Sequence, residues 1–254
     1  MSTDLRTVVA EANRAIERAG LVTLSFGNAS GVDREAGILL IKPSGIPCAS
    51  VQPQDLVAVA LDDGRVVEGS RRPSADTPTH RLLYGEFPDI GGVVHTHSSF
   101  ATSWAQAGRE IPALGTTHAD YFRGSVLVSR ALDPAEIEGD YEWATGRVIA
   151  ETLRANDRTP EDSPAVLVRS HGPFSWGPSP AAAVEVAVAL EAIAAMAWQS
   201  LALDSALPAI ASELLSRHFD RKHGRAAYYG QEVVVTDTAG VESRKGSSDE
   251  GGAG

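Results

Sequence analysis

Hydrophobic and polar positions follow two different periods along this chain, and the changes of period predict short strands between helices. From Leu5 to Ala19, apolar residues recur every three or four positions and stop at Gly20, a pattern typical of an amphipathic helix. Further helices are predicted at residues 77–87, 99–108, 141–154, 180–203 and 208–218. Apolar or β-branched runs predict strands at residues 21–25, 38–41, 56–61, 65–68, 92–97, 126–129 and 165–169. The alternation indicates an α/β fold.

Turn and cap residues set several boundaries in this pattern. Asp63-Gly64 joins the third and fourth predicted strands as a tight hairpin, so this part of the sheet is predicted to be antiparallel. Thr77-Pro78 and Ser179-Pro180 each place a capping hydroxyl before a proline, which marks the start of a helix. The last predicted helix begins at Pro208.

The chain is long enough for one sizeable domain. It has 254 residues, of which 43% are hydrophobic and 22% are charged, proportions typical of a globular protein. No repeat or linker divides residues 1–231, whereas residues 232–254 are polar and glycine-rich and are predicted to be a disordered tail without function. The longest apolar run, residues 180–203, contains Glu185 and Glu191, so we interpret it as a buried helix and not as a membrane span.

Charge and cysteine content narrow the classes of partner. Acidic residues outnumber basic ones by 33 to 22, and the net charge of −11 argues against a surface that neutralises a nucleic-acid backbone. The single cysteine, Cys48, allows no intramolecular disulfide, and the first residues lack the cationic and apolar parts of a secretion signal. We therefore expect a cytoplasmic protein that binds neither nucleic acid nor membrane.

A pair of histidines at the end of a predicted strand is the first candidate for chemistry. Side chains alternate across a strand, so His95 and His97 project to the same side and can bind one metal ion. Asp76 precedes a helix and His171 follows a strand, positions from which ligands commonly project. Three imidazoles and a carboxylate suit Zn²⁺, Mn²⁺ or a similar ion. Spacing alone leaves two alternatives open: the histidines hydrogen-bond to backbone, or Asp76 only caps its helix.

Two polar turns have the composition of an anion site. Lys42-Pro43-Ser44-Gly45 follows a strand with a cation, a hydroxyl and a glycine, and Arg72-Pro73-Ser74 precedes a helix. Together they suit a phosphate group, although each is also an ordinary turn sequence. The segment Phe26-Gly27-Asn28-Ala29-Ser30 fits a substrate-lining loop or an Asx turn, and spacing does not decide between them.

Several short motifs, in order and without large gaps from about residue 5 to residue 231, carry a family resemblance. They are Phe26-Gly27-Asn28, Lys42-Pro43-Ser44-Gly45, Asp76-Thr77-Pro78-Thr79-His80, Val94-His95-Thr96-His97-Ser98, Gly115-Thr116-Thr117-His118-Ala119-Asp120-Tyr121-Phe122, Ser170-His171-Gly172-Pro173-Phe174, Lys222-His223-Gly224 and Tyr228-Tyr229-Gly230-Gln231. With these motifs the chain resembles the L-ribulose-5-phosphate 4-epimerases of the class II aldolase/adducin family. The resemblance implies one catalytic domain over residues 1–231, a three-layer α/β/α sandwich with a mixed, largely antiparallel central sheet.

The same resemblance implies the active-site residues. The ligands of a catalytic divalent ion, most often zinc, are Asp76, His95, His97 and His171. The residues that contact the substrate are Gly27, Asn28, Ser44, Gly45, Ser74 and Ala75. The serines hold the phosphate, and position 75 is alanine where the epimerases carry a further serine, so only its backbone N–H remains to donate. The acid/base pair, contributed by a neighbouring subunit of a homotetramer, is Asp120 and Tyr229.

The implied reaction interconverts L-ribulose 5-phosphate and D-xylulose 5-phosphate, a step in arabinose catabolism. The hydrogen on C4 is not adjacent to the C2 ketone and is not acidic, so the implied route is retro-aldol cleavage of the C3–C4 bond, rotation of the aldehyde and re-addition. Asp120 and Tyr229 then exchange the proton of the C4 hydroxyl on opposite faces. Lys42, Arg72 and His218 are candidates to offset the acidic field of the protein around an anionic substrate.

Two other functions remain compatible with the sequence. A sugar-phosphate aldolase of the same family performs the same cleavage and releases the aldehyde, but such aldolases tend to carry glutamate where this chain has Asp76. A non-enzymatic scaffold similar to the adducin head lacks the metal-ligand set that His95, His97 and His171 provide. We therefore expect a metal-dependent epimerase.

Overall fold

The computed structural model describes residues 3–224 and residue 227, and the centre of this part of the chain is one β-sheet. Its strands are β1 (Asn28–Asp33), β2 (Ile38–Ile41), β3 (Val57–Ala60), β4 (Val66–Glu68), β5 (Gly92–His95), β6 (Leu127–Val128), β7 (Ala165–Val168) and β8 (Gly172–Gly177). The order across the sheet is β4-β3-β2-β1-β5-β8-β7-β6, and every neighbouring pair is antiparallel except β6 with β7. The expected mixed, largely antiparallel sheet is confirmed.

Helices cover both faces of this sheet. They are α1 (Thr3–Arg18), α2 (Thr77–Glu86), α3 (Ser99–Ala107), α4 (Thr116–Ala119), α5 (Pro134–Glu138), α6 (Tyr141–Ala155), α7 (Pro180–Leu203) and α8 (Ser212–His223). Residues of α2 and α6 form the core on one face, and residues of α1, α3 and α7 form the cores on the other. This is the three-layer arrangement that the resemblance implies.

The alternation of side chains along the strands explains why the sheet has two covered faces. In β2, Leu39 and Ile41 belong to the core beneath α2 and α6, whereas Ile38 and Leu40 belong to the core beneath α1. All four are buried. A strand that is buried on both faces needs apolar side chains on both, so it forms a continuous apolar run in the sequence. The run over residues 38–41 predicted β2 for this reason.

Helix α7 is the longest apolar element in the described residues. By length and composition it is the one helix there that is able to cross a membrane. Nine of its 24 residues are buried, and Leu190 and Ala194 pack in the core with α3 while Ala183 and Ala187 pack with α1. This packing agrees with the interpretation of residues 180–203 as a helix of the protein core.

The segment predicted as the first strand, residues 21–25, is irregular. Leu24 has a φ of +57°, in the left-handed region, and its side chain is 75% exposed. Neither property fits a buried strand, so this prediction was wrong. The strand is formed by the next residues, Asn28–Asp33, which pair with β2 on one side and β5 on the other. The pattern does not predict β8 either, because Gly172 and Pro173 favour turns in isolation.

Two helix starts differ from the predicted ones. Helix α8 begins at Ser212 and not at Pro208, which lies in an irregular segment whose Ile210 N–H donates to the carbonyl of Ala113. Helix α2 has Asp76 and not Thr77 as its N-cap. The Asp76 side chain makes no capping hydrogen bond. Its contacts therefore do not support the alternative that Asp76 serves only as a helix cap.

Candidate metal and phosphate site

The ends of four central strands meet at one edge of the sheet and form a cavity of ≈ 280 Å³. Strands β1 and β8 begin there and β2 and β5 end there, and antiparallel pairing places Asn28 directly opposite His95. The lining residues are Ser25, Phe26, Gly27, Asn28, Lys42, Ser44, Gly45, Ser74, Ala75, Asp76, His95, His97 and His171. The structure thus brings together every residue that the resemblance assigns to metal or substrate binding, but the cavity lining does not include the candidate cations Arg72 and His218.

Three histidines form a compact cluster in this cavity. The ligand atoms of His95, His97 and His171 all lie within 4.8 Å of one another, and Nε2 of His95 is 3.1 Å from Nε2 of His97. Two nitrogens at ~2.0–2.1 Å from one ion have this separation when the angle at the ion is about 100°. Nδ1 of His95 donates to the carbonyl of Pro173 at 3.0 Å, which leaves Nε2 available to a metal. The residues therefore fit a divalent ion.

Burial favours the neutral form of two imidazoles in this cluster, those of His97 and His171. Burial, together with the neighbouring His95 and His97, lowers the pKa of His171 to about 3. Burial also lowers the pKa of His97 below its usual range. Because a metal binds the neutral imidazole, both rings are in the form that binds at neutral pH.

Asp76 lies in the same cavity but outside the three-histidine cluster. Its Oδ2 accepts hydrogen bonds from Asn28 Nδ2 at 2.6 Å and from Ser74 Oγ at 3.5 Å. Burial acts to raise the pKa of Asp76, but the neighbouring imidazoles of His95 and His80 and the bond from Asn28 outweigh it, so the pKa is lowered. Asp76 is therefore a carboxylate anion, held in place by Asn28 beside the imidazoles.

Asn28 lines the cavity and also has an unsatisfied polar atom. The residue is 2% exposed, and its Oδ1 is buried without a hydrogen-bond partner. Buried acceptors without partners are uncommon and cost free energy in the folded protein. The Asn28 side chain is thus held through its amide nitrogen on Asp76 and Ser74, while its amide oxygen stays unpaired.

The two polar turns are joined to each other by backbone hydrogen bonds. The N–H of Ser44 donates to the carbonyl of Arg72, and the N–H of Ser74 donates to the carbonyl of Lys42, both at 3.0 Å. Gly45 has a φ of +74°, and a Cβ placed on it meets nothing within 4 Å, so the turn faces open space. The pair forms one polar wall of the cavity that the histidines also line.

Lys42 is a buried cation behind this wall. It is 2% exposed, and its Nζ donates to the carbonyl of Ile46 at 2.6 Å and to that of Ser25 at 3.4 Å. Burial lowers the pKa of Lys42 from its ordinary value. The side chain thus joins the turn after β2 to the segment before β1, two walls of the cavity. Arg72, the second predicted cation, is exposed.

Asp120 lies outside this cavity, directly after α4. Its Oδ1 accepts from Nδ1 of His218 and from Nε of Arg221, both at 3.1 Å, and its Oδ2 accepts from Nη2 of Arg221 at 2.8 Å. Partial burial acts to raise the pKa of Asp120, but the hydrogen bonds from Arg221 and His218 lower it further than burial raises it. Within one subunit the predicted acid/base residue is therefore paired with α8, and His218 contacts Asp120 instead of the cavity. Tyr229 lies outside the described residues.

Sequence reasoning missed two groups next to the histidine cluster. The hydroxyl of Tyr141 lies 3.2 Å from Nδ1 of His171. His80 is fully buried, and its Nδ1 lies 2.7 Å from Ser30 Oγ, which is 2.8 Å from the hydroxyl of Tyr84. These contacts join residues 30 to 54 positions apart, so no local pattern of the sequence indicates them.

The fold and the match to a family model define the class of protein. The model described as Class II Aldolase and Adducin N-terminal domain matches residues 7–198, and the chain belongs to this family. A relative named L-ribulose-5-phosphate 4-epimerase UlaF, from Salmonella paratyphi C (strain RKS4594), is 51% identical over 227 residues, which are 89% of this chain and 98% of the relative. A relative of the same name from Salmonella typhi is 50% identical over the same shares.

Solved structures show the same fold at lower identity. An L-fuculose 1-phosphate aldolase has a TM-score of 0.73 at 22% identity and covers 87% of this chain and 97% of its own. The L-fuculose-1-phosphate aldolase from Thermus thermophilus has a TM-score of 0.62 at 24% identity, over 82% of this chain and 100% of its own. At such identities the likeness shows the fold alone.

Proposed function

We propose that this protein is a metal-dependent L-ribulose-5-phosphate 4-epimerase, an isomerase that interconverts L-ribulose 5-phosphate and D-xylulose 5-phosphate. The observation that carries the proposal is the single cavity in which three histidines and an aspartate adjoin two polar turns. The 51% identity to a relative named for this activity, over 98% of that relative, supports the choice of substrate. The proposed setting is arabinose catabolism in the cytoplasm.

Four side chains are proposed to hold the divalent ion: Asp76, His95, His97 and His171. Nitrogen-rich sites of this kind suit Zn²⁺, and Mn²⁺ and Co²⁺ are accepted by similar ligands. When bound, the ion supplies Lewis-acid stabilisation of the negative charge that develops at C2 and C3 as the C3–C4 bond breaks. Zn²⁺ is the proposed metal.

The polar wall is proposed to bind the substrate phosphate. Its donors are the hydroxyls of Ser44 and Ser74 and the backbone N–H groups of Gly45 and Ala75, with buried Lys42 holding the turn. Gly27 leaves room beside the metal ligands, because a Cβ there lies 2.9 Å from the carbonyl of His95. The phosphate contacts retain the aldehyde fragment after cleavage, so that it rotates and recombines instead of leaving.

Proton transfer at the C4 hydroxyl requires two groups, one on each face of the aldehyde. In cleavage, one group removes the hydroxyl proton while the electron pair of the C3–C4 bond passes to the dihydroxyacetone fragment. In re-addition to the other face, the second group returns a proton to the new alkoxide. We assign these roles to Asp120 and Tyr229 of a neighbouring subunit.

A homotetramer with active sites between subunits is proposed for this reason. Asp120 does not line the cavity that contains the histidine cluster of its own chain. A second subunit that supplies Asp120 and Tyr229 completes the set of proton-transfer groups. The chemistry supports a site shared between subunits, and the number of four subunits is what the resemblance implies.

An aldolase of the same family is the alternative, because solved L-fuculose 1-phosphate aldolases share this fold. Incubation of the purified protein with L-ribulose 5-phosphate distinguishes the two. D-Xylulose 5-phosphate as the product supports the epimerase, whereas release of dihydroxyacetone and glycolaldehyde phosphate supports the aldolase. No turnover, together with no bound metal, supports an adducin-like scaffold.

A further inference from the structure

The metal-binding histidines differ in how the chain holds their rings. His95 lies on a buried strand, stacks on Phe174 with ring centroids 4.1 Å apart, and donates to the carbonyl of Pro173. His171 instead lies in the short turn between β7 and β8, next to exposed Ser170, which has a φ of +63°. The ring of His171 also meets Phe174, but edge-on and with centroids 6.0 Å apart, so packing on Phe174 holds it less closely than it holds His95 and a hydrogen-bond partner matters more for its orientation.

Tyr141, the first residue of α6, supplies this partner. Its hydroxyl oxygen lies 3.2 Å from Nδ1 of His171. An imidazole that carries its hydrogen on Nδ1 donates it to this oxygen, and its Nε2 lone pair then remains for the metal. The same arrangement occurs at His95, where the carbonyl of Pro173 is the acceptor.

The start of α6 is itself fixed to α2, the helix that begins after Asp76. Thr79 Oγ1 donates to the carbonyl of Glu142 at 2.5 Å, and the guanidinium of Arg81 lies 5.1 Å from the ring centroid of Trp143. The two helices approach closely, since a Cβ at Gly146 lies 3.0 Å from Cβ of Leu82. Tyr141 is thus held at a defined distance from the helix that carries Asp76.

We infer that Tyr141 is a positioning residue that sets the ring orientation and the tautomer of His171 for metal binding. The inference rests on the proposed function, because it assumes that the histidine cluster holds a divalent ion. In this role Tyr141 contacts the metal-binding residue His171 and does not contact the substrate.

Tyr141→Phe tests this inference directly, and Tyr121→Phe is the matched control because its hydroxyl donates to Glu185 away from the cluster. Zn²⁺ affinity is measured for each protein by competition with a chromophoric chelator. Loss of a hydrogen bond to a metal ligand weakens metal binding about 10- to 100-fold, which we expect for Tyr141→Phe. Tyr121→Phe keeps the parent affinity within about twofold.

Further measurements separate a positioning role of Tyr141 from a general loss of structure. The visible absorption of the Co²⁺-loaded protein changes in Tyr141→Phe, since the ligand geometry changes, while the unfolding temperature of the metal-free protein stays close to that of the parent. Thr79→Val, which removes the bond to Glu142 and alters no ligand, weakens Zn²⁺ binding in the same direction. Excess Zn²⁺ restores turnover in Tyr141→Phe, and KM for the sugar phosphate stays near the parent value.

The outcomes distinguish this inference from the proposed function. A parent protein that binds no divalent ion contradicts both. A parent that binds Zn²⁺, with Tyr141→Phe equal to it in affinity and in its Co²⁺ spectrum, contradicts the role of Tyr141 alone.

Discussion

The histidine cavity and the carboxylate of Asp120 are both polar, but they differ in how far the chain itself satisfies their hydrogen-bonding groups. In the cavity, Asn28 Oδ1 is buried without a partner, and Nε2 of His95 and of His97 face each other. At Asp120, both carboxylate oxygens accept hydrogen bonds from α8. Unsatisfied groups need a ligand, whereas a satisfied carboxylate is part of a formed structure. The cavity therefore contains nitrogens that are available to a ligand, whereas the carboxylate of Asp120 is already paired.

The two regions also differ in charge. Burial lowers the pKa of His97 and His171, so the cavity holds neutral nitrogens. Hydrogen bonds from Arg221 and His218 keep the pKa of Asp120 low in spite of partial burial, so that carboxyl stays ionised. The cavity therefore suits a cation, whereas the carboxylate of Asp120 is already paired with Arg221 of its own subunit.

The largest expected effect tests whether the cavity needs a metal. His97→Asn removes one of the facing nitrogens, and we expect turnover to fall by at least about 10³-fold, because a Lewis acid contributes several kcal/mol to the transition state. Exhaustive chelation abolishes turnover in the parent, and Zn²⁺, Mn²⁺ or Co²⁺ restores it there but not in His97→Asn. Full activity in metal-free protein contradicts the metal site.

The second prediction tests whether the two regions meet across a subunit boundary. Tyr229→Phe loses one proton-transfer group, which costs about 10²- to 10⁴-fold in the rate of epimerisation. Subunits carrying Tyr229→Phe, mixed with inactive His97→Asn subunits, regenerate part of the activity, since a mixed interface joins an intact cluster to an intact Tyr229. Sedimentation of the parent shows a tetramer.

Stereochemistry sharpens the same test. Tyr229→Phe retains Asp120, so slow condensation of dihydroxyacetone with glycolaldehyde phosphate persists and gives mainly one C4 epimer. Equal amounts of both epimers contradict one group per face. A fully active monomer, or epimerisation by Tyr229→Phe at the parent rate, contradicts the shared site.

The third prediction concerns Arg221, which donates hydrogen bonds to both carboxylate oxygens of Asp120. Arg221→Met removes two of its hydrogen bonds, so the pKa of Asp120 rises towards its ordinary value. We expect the acidic limb of the pH–rate profile to move to higher pH, with a smaller loss of rate than in Asp120→Asn. Arg65→Met, which removes an exposed ion pair with Asp63 away from α8, is the control and leaves the profile unchanged. An unmoved acidic limb in Arg221→Met contradicts the assignment of that limb to Asp120.

The residues that line the cavity were much easier to predict from the sequence than the residues that hold them in place. The period of two predicted that His95 and His97 share one side, and they do lie in one cluster although β5 ends at His95. The turn composition around Ser44 and Ser74 marks both halves of the polar wall. These features depend on neighbours in sequence. The strand Asn28–Asp33 escapes the same reasoning, because Asn-Ala-Ser-Gly resembles a turn and becomes a strand only between β2 and β5.

The remaining contacts join distant parts of the chain. Gly31 shows the reason at one position: a Cβ there lies 2.7 Å from Cγ2 of Val9 and 2.9 Å from Cγ of Pro180, so close packing of α1 and α7 selects glycine inside a strand. Asp120 with Arg221, and Tyr141 with His171, are likewise set by which helices meet. No spacing rule reaches across 101 or 30 residues.

The smallest expected effect concerns stability and uses His80, whose Nε2 is the second buried atom without a partner near Asp76. Burial lowers the pKa of His80 to about 3. As pH falls below about 6.5, the unfolded chain gains a proton at this residue and the folded protein does not. The free energy of unfolding is therefore not reduced by His80 above about pH 6.5, and it falls as pH drops from there towards pH 3. One such proton corresponds to a slope of about 1.4 kcal/mol per pH unit.

His80→Gln removes this titration. We therefore expect its free energy of unfolding to fall less steeply with acid than that of the parent, with a slope that differs by about one proton. The measurement is chemical denaturation between about pH 6 and pH 4 with chelator present. Tyr84→Phe is the matched control. It removes the hydroxyl that contacts Ser30, lowers stability by about 1 kcal/mol at every pH in this range, and keeps the parent slope. Equal slopes in the parent and His80→Gln mean that His80 takes up its proton in the folded protein, and the buried Ser30–His80 contact then does not keep the ring neutral.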